Sequence, residues 1–368
     1  MKIIRSEVSI TEPAFGREIS LFEEPEKLLL LDIETTGLSR ERSAIYLIGF
    51  GHLSGNNIKT VQFFAEHPAE EPVILREGLS FAKSFDILLH YNGKHFDLPF
   101  LEYKALKYGT DYPLKKLREF DIYAAIRPLK KLLGLTSLRQ REVEGFLNAA
   151  GDDPYTGREL IRVYHDYVKA PSDELLSPLL YHNREDILGM LNILPMLRYR
   201  EILSMTPGYL GHRINSYPGF DGSQKEELII ELSHSLRLPA DFRSLNGSVF
   251  ISFEENRVLI RVPSVQLTLK HFYDNFRDYY YLPFEDTCIH KSAAAGVDKE
   301  YREPARRETC YTKASGLFVP GCKTPGFTLF RPEYDSMDEY ISLSELNKKE
   351  ALLSYGTALL KELIDKRT

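Results

Sequence analysis

Residues 28–37 read LLLLDIETTG, an apolar run that ends in two acids, Asp32 and Glu34. Four consecutive leucines predict a strand packed inside a fold. Such a strand does not end in two carboxylates without something to stabilise them, because unpaired buried charge is costly. In extended backbone, residues i and i+2 point to the same face, so Asp32 and Glu34 project side by side. Like charges that close raise one pKa unless a cation lies between them. A hard divalent ion with oxygen ligands, Mg²⁺ or Mn²⁺, is the simplest stabiliser. The bland alternative is a strand end where both acids reach solvent, and the D-x-E pair alone does not decide between them.

The 368 residues are enough for two domains with ordinary cores. An apolar content of 43% and a charged content of 27% describe a globular chain. A formal net charge of −6 argues against a protein held on nucleic acid by bulk charge, though local basic patches remain open. The first residues lack the apolar core of a signal peptide, and no run has the length of a membrane span, so no membrane partner is expected. Cys288, Cys310 and Cys322 are odd in number, with no CxxC pair, and are expected as reduced thiols in a cytoplasmic protein. A zinc site that adds His290 to them is the minor alternative.

The first half alternates strand and helix signals. Strands are expected at 27–34, 43–53, 57–65, 86–92 and 118–125, with helices at 71–85 and from about Asp97 to Tyr108. Helical segments follow to about residue 204. This pattern predicts an α/β fold with a mixed five-stranded sheet flanked by helices. The Gly-, Pro- and Ser-rich stretch 205–223 is read as a linker after a first domain of 1–204. Beyond it, 224–368 is expected to be a smaller β-rich domain with a closing helix over 343–365.

Further candidate chemistry lies downstream. HYNGKHFDLPFL (90–101) leaves a strand with Asn92 and Phe96 and reaches Asp97 where a helix begins, a position at which an Asp is most often a cap. In LLYHNREDILGML (179–191), His182 and Asp186 lie four apart on one helical face, with Tyr181 offset around the helix. D-x-E on the first strand, N-x3-F-D after a later strand and H-x3-D on a late helix occur in that order. This ordered set resembles the DEDD, or DnaQ-like, 3′→5′ exonuclease superfamily of the ribonuclease H-like fold, over roughly residues 25–200. HNREDI and GRELIRVYHDYV are most similar to YprB-type ribonuclease H-like proteins.

The resemblance implies that Asp32, Glu34, Asp97 and Asp186 hold two divalent ions, Mg²⁺ or Mn²⁺. It further implies hydrolysis of single-stranded DNA or RNA from the 3′ end, with release of nucleoside monophosphates. Thr35, Thr36, Gly37 and Leu38 would contact the terminal nucleotide, with Asn92 and Phe96 lining the same cleft. In His-type members the base lies five residues before the last Asp, and in Tyr-type members four; here Tyr181 is at five and His182 at four. Helix geometry favours His182, and Tyr181 stays as the alternative. Asp121 is expected to cap a helix or pair with Arg127 rather than bind metal. A catalytically inactive nucleic-acid-binding or scaffold protein on the same fold is the competing reading. In the late region, the aromatics of FYDNFRDYYYLPF and Arg302, Arg306, Arg307 and Lys313 are the best candidates for holding nucleic acid. Closure of a β core by the same rings is the competing reading, and a protein partner on the second domain is a third.

Overall fold

The computed structural model describes residues 1–9, 16–149, 151–322 and 326–365. The chain divides into one unit of Met1–Lys130 with Leu135–Arg200, and another of Lys131–Gly134 with Glu201–Thr368.

The first unit is built on a six-stranded sheet. Its strands are β1 (Lys2–Ser9), β2 (Leu28–Thr35), β3 (Ile45–Ser54), β4 (Asn57–Phe64), β5 (Ile87–His90) and β6 (Arg118–Asp121), in the spatial order β1-β4-β3-β2-β5-β6. The first four pair antiparallel, while β2–β5 and β5–β6 are parallel. The mixed α/β sheet flanked by helices is as expected, with one strand more than the five predicted. That strand, KIIRSEVS, is an edge strand whose alternating exposure leaves too few apolar residues to signal itself.

The helices are α1 (Gly16–Ile19), α2 (Glu71–Ala82), α3 (Asp97–Tyr108), α4 (Ile122–Ile126), α5 (Gln140–Phe146), α6 (Gly157–Lys169) and α7 (Asp173–Asn192). One face of the sheet carries Leu29, Leu31, Ile33, Ile48 and Phe50 into a core with α2 and α3. On the other face, Tyr46, Leu47 and Phe64 pack with Leu160, Tyr164, Tyr167 and Leu179 of α6 and α7. The period-2 alternation of β2 therefore turns Leu29, Leu31 and Ile33 to one side and Asp32 and Glu34 to the other.

Two glycines let α7 approach the sheet. A Cβ at Gly49 would stand 2.0 Å from Asn183 Oδ1, and one at Gly51 2.6 Å from Ile187 Cγ2. A strand glycine of this kind marks close approach by another element.

A buried ion pair braces the β2–β3 loop. Glu71, 2% exposed, heads α2 and meets Lys104 of α3 at 2.9 Å. Lys104 Nζ donates to Ser43 O (2.5 Å), while Tyr108 Oη (2.6 Å) and Ile45 N (2.7 Å) donate to Glu71. Removing one partner leaves the other buried and unpaired, so Lys104→Met is expected to cost about 3–5 kcal/mol, read as a lower urea midpoint.

The second unit holds β7 (Gly208–Pro218), β8 (Gln224–Ser233), β9 (Phe242–Asn246), β10 (Val249–Glu254), β11 (Arg257–Phe272), β12 (Tyr279–Leu282), β13 (Thr287–His290), β14 (Glu303–Pro304), β15 (Tyr311–Pro320), β16 (Leu329–Phe330) and β17 (Tyr340–Ser342), closed by α8 (Lys349–Asp365). They form an eight-stranded sheet and a three-stranded one of β12, β13 and β14. One expectation is corrected here. The stretch 205–223 is not a linker but mostly strand β7, which forms a hairpin with β8 through a turn that includes Gly222 at φ 77°. Its glycines, prolines and serines belong to a half-exposed edge strand and its turn. RVLIRVP and VQLTLKH run on as the single strand β11. Pro263 is tolerated because residues 262–264, between the β10 and β15 pairings, bond only to β8.

The late aromatics and cations engage one another. Tyr279 and Tyr281 pack on Cys288, Ala305 and Cys310, while Arg302 lies 4.7 Å from the Tyr280 ring centroid and donates to Ala294 O. Lys313 pairs with Asp286. The zinc alternative fails among the described residues, since His290 turns its Nδ1 to Ser292 Oγ (2.6 Å) and no cysteine-containing group of three ligands forms. No helix among the described residues is long and apolar enough to cross a membrane.

Candidate metal centre

Three elements bring acids to one place. Strand β2 presents Asp32 and Glu34 at its C-terminal end, α3 begins with Asp97, and α7 carries Asp186 one turn after His182. Asp97 Oδ1 accepts from Ile33 N at 3.2 Å, so the helix start is tied directly to the strand end. The pairing of β2 with β3 shifts register between Glu34 and Thr35, which ends the regular ladder beside the acids. His182 Nε2 lies 3.6 Å from both Glu34 Oε1 and Asp186 Oδ2. Among the described residues, Glu34, His182 and Asp186 are the one group of metal-ligand side chains whose donor atoms gather within 4.8 Å.

The electrostatics follow from burial and crowding. Burial, then the charges of Asp186, Glu34 and Asp97, push the Asp32 carboxyl well above the usual carboxylate range. Burial also pushes Glu34 up to about 8, against the stabilising charge of His182, and pushes Asp97 up to about 6. Asp186 is raised in the same direction, again by burial first. Burial opposes charge on His182, but Glu34, Asp186 and Asp153 together raise its pKa. Among the described residues, no lysine or arginine forms an ion pair with any of the four carboxylates. A set of crowded oxygen donors that no lysine or arginine ion pair neutralises has the donor chemistry that hard divalent ions prefer.

The other expected residues divide. Tyr181 has the Arg184 guanidinium 5.2 Å from its ring centroid, and the charge that acts on its hydroxyl most is that of Glu185. Thr35 Oγ1 donates to Gly37 O (2.8 Å), and Thr36 Oγ1 accepts from Ala44 N (2.9 Å), so both hydroxyls shape the loop. A Cβ on Gly37 would stand 2.8 Å from Ser43 Oγ, a packing reason for glycine there. Leu38 is 87% exposed. Asn92 adopts φ 59° and donates its N–H to Asp121 Oδ1 (3.0 Å), while its own buried Oδ1 finds no hydrogen-bond partner among the described residues. Phe96 packs on the α2–α3 core beside Phe100. Asp121 caps α4 through Ala124 N (3.3 Å).

Two residues escaped the sequence reading. Asn183, fully buried, donates to Asp32 Oδ2 at 2.7 Å and accepts from Gln62 Nε2 at 2.8 Å. Gly49 in the middle of an apolar strand was the available signal. Gly49→Ala is expected to displace Asn183 and cost about 1–3 kcal/mol by overpacking, measured by chemical denaturation. The second is Asp153, whose Oδ2 lies 2.5 Å from His182 Nδ1. It sits in a loop between α5 and α6, where no periodicity marks it.

Residues 29–198 match the family model described as RNase_H superfamily. The first unit is a ribonuclease H-like domain. Uncharacterized protein YprB of Bacillus subtilis (strain 168) is 28% identical over 172 residues, which are 45% of this chain and 40% of YprB. The match thus spans less than half the length of that relative. Among solved structures, the family B DNA polymerase of the archaeon Pyrobaculum calidifontis aligns at 14% identity and TM-score 0.38, over 57% of this chain and 34% of its own. The zinc-bound E. coli ExoI–ssDNA complex aligns at 12% identity and TM-score 0.30, over 56% and 54%.

Proposed function

We propose that this protein is a two-metal-ion 3′→5′ exonuclease that releases nucleoside monophosphates from single-stranded DNA or RNA. The observation that carries this reading is the convergence of Asp32, Glu34, Asp97 and Asp186 with His182 from one strand end and two helices. Bound Mg²⁺ or Mn²⁺ would supply a water of lowered pKa and charge stabilisation for the attacking and leaving oxygens. The four carboxylates would hold the ions, and the packed β2 strand keeps two of those carboxylates rigid. His182 Nε2 faces the same oxygens and accepts the proton of the attacking water.

The test is chromatographic: metal-supplemented protein is given 5′-labelled single-stranded DNA and RNA. The expected result is a ladder shortened from the 3′ end, with mononucleotides as the released product. Absence of shortening on both strand types with both metals contradicts the reading and favours an inactive binding protein. His182→Ala is expected to lower kcat about 10²- to 10⁴-fold, as loss of a general base does. Tyr181→Phe is expected to leave kcat within about threefold, because the charges that act on its hydroxyl are those of Glu185, Asp152, Arg184 and Asp153 rather than the four site acids; the reverse pattern would assign the base to Tyr181.

A further inference from the structure

We propose that Asp153 is the positioning residue for His182, holding the imidazole in the one tautomer and orientation that aims Nε2 at Glu34 and Asp186; this rests on the exonuclease reading. Asp153 Oδ2 lies 2.5 Å from His182 Nδ1, and the two side chains are only 13% and 12% exposed. An ionised carboxylate only accepts hydrogen bonds, so the proton must reside on Nδ1, which leaves Nε2 free to accept one when the ring is neutral. On that far side Nε2 stands 3.6 Å from each of Glu34 Oε1 and Asp186 Oδ2. The imidazole thus bridges an acid that orients it and the oxygens where the reaction would occur. A base held by a third group has this geometry.

The carboxylate is itself held. Asp153 Oδ1 accepts from Tyr155 N at 3.1 Å, so its second oxygen is fixed by the loop backbone. The next residue, Thr156, starts α6 with a reciprocal capping box to Glu159, which anchors the loop's far end. A small cavity of about 110 Å³ beside this contact is lined by residues that include Asp153, His182, Asp186, Arg141 and Tyr155. Water therefore has a place next to the dyad, and the loop that carries Asp153 forms part of its wall. Tyr181 has no such orienting acid within hydrogen-bond reach among the described contacts.

The decisive experiment combines a spectrum with kinetics on the full chain. In [¹⁵N]histidine-labelled, metal-free protein, His182 is expected to give a downfield Nδ1–H proton signal, assigned by its loss in His182→Ala. The signal is expected to vanish in Asp153→Ala. With Mn²⁺ and a labelled oligonucleotide, Asp153→Ala is expected to lower kcat about 10- to 100-fold while KM and the Mn²⁺ dissociation constant stay within about threefold. Asp153→Asn keeps the shape and an acceptor for Tyr155 N but offers its amide N–H to Nδ1, favouring the wrong tautomer, and is expected to lose kcat as well. A purely structural role would leave Asp153→Asn at wild-type kcat. Persistence of the signal in Asp153→Ala, or wild-type kcat in Asp153→Asn, overturns the proposal. If wild type digests nothing, the exonuclease reading falls, and the spectrum alone still decides whether Asp153 holds His182.

Discussion

Asp186→Ala is expected to lower kcat for nucleotide release by about 10³-fold or more, with Asp32→Ala equal to it within about tenfold. Charge stabilisation by bound ions is worth several kcal/mol in the transition state, and each 1.36 kcal/mol is about tenfold in rate. Both acids serve the same ions, so the double variant is expected to be little worse than either single one, the non-additivity of residues that act as a unit. Folding is not the explanation the substitutions invite: Asp186 is 39% exposed on α7, and its removal takes away a charge that the neighbouring acids repel. Single-turnover digestion of a labelled strand, with melting curves as control, measures this. Activity in Asp186→Ala within tenfold of wild type would place the reaction elsewhere.

The second large effect is on stability without metal. Glu34 is pushed up to about 8 by burial, and Asp32 is raised well above the usual carboxylate range by burial and its acidic neighbours. An acid whose folded-state pKa is raised binds its proton more tightly folded than unfolded. Its contribution is therefore fully present below the unfolded pKa near 4.5 and is lost as pH rises through about 8. Metal-free wild type is expected to lose on the order of 2–5 kcal/mol between pH 5 and 9 from this cluster. The Glu34→Gln variant loses much less and is the more stable of the two at pH 9. Saturating Mg²⁺ or Mn²⁺ is expected to reverse the loss, since an ion at 100 times its dissociation constant adds about 2.7 kcal/mol. Urea melts across pH, with and without chelator, report this; equal pH slopes for wild type and Glu34→Gln would show that the acids are not crowded.

Much of this arrangement is legible in the sequence because it depends on two periodicities. The period of two put Asp32 and Glu34 on one face of a strand, and the helical repeat put His182 and Asp186 on one face of a helix. Asp97 could be placed at a strand-to-helix junction, although which neighbours it would meet could not. What escaped depends on partners far away in the chain. Asp153 comes from a loop 29 residues before His182, and only the docking of that loop on α7 makes it a neighbour. Asn183 was hidden beside a more conspicuous histidine, although Gly49 recorded its approach across 134 residues of chain. Edge strands β1 and β7 were missed for one physical reason: a strand exposed on one side carries the polar and turn-forming residues of a loop.

The central claim is that LLLLDIE delivers the first half of a four-carboxylate cage for two divalent ions. Anomalous diffraction from crystals soaked in Mn²⁺ tests it most directly. Two peaks about 3.5–4 Å apart are expected, ligated by Asp32, Glu34, Asp97 and Asp186. Manganese bound elsewhere on the chain, or none among these four side chains at saturating concentration, would contradict it.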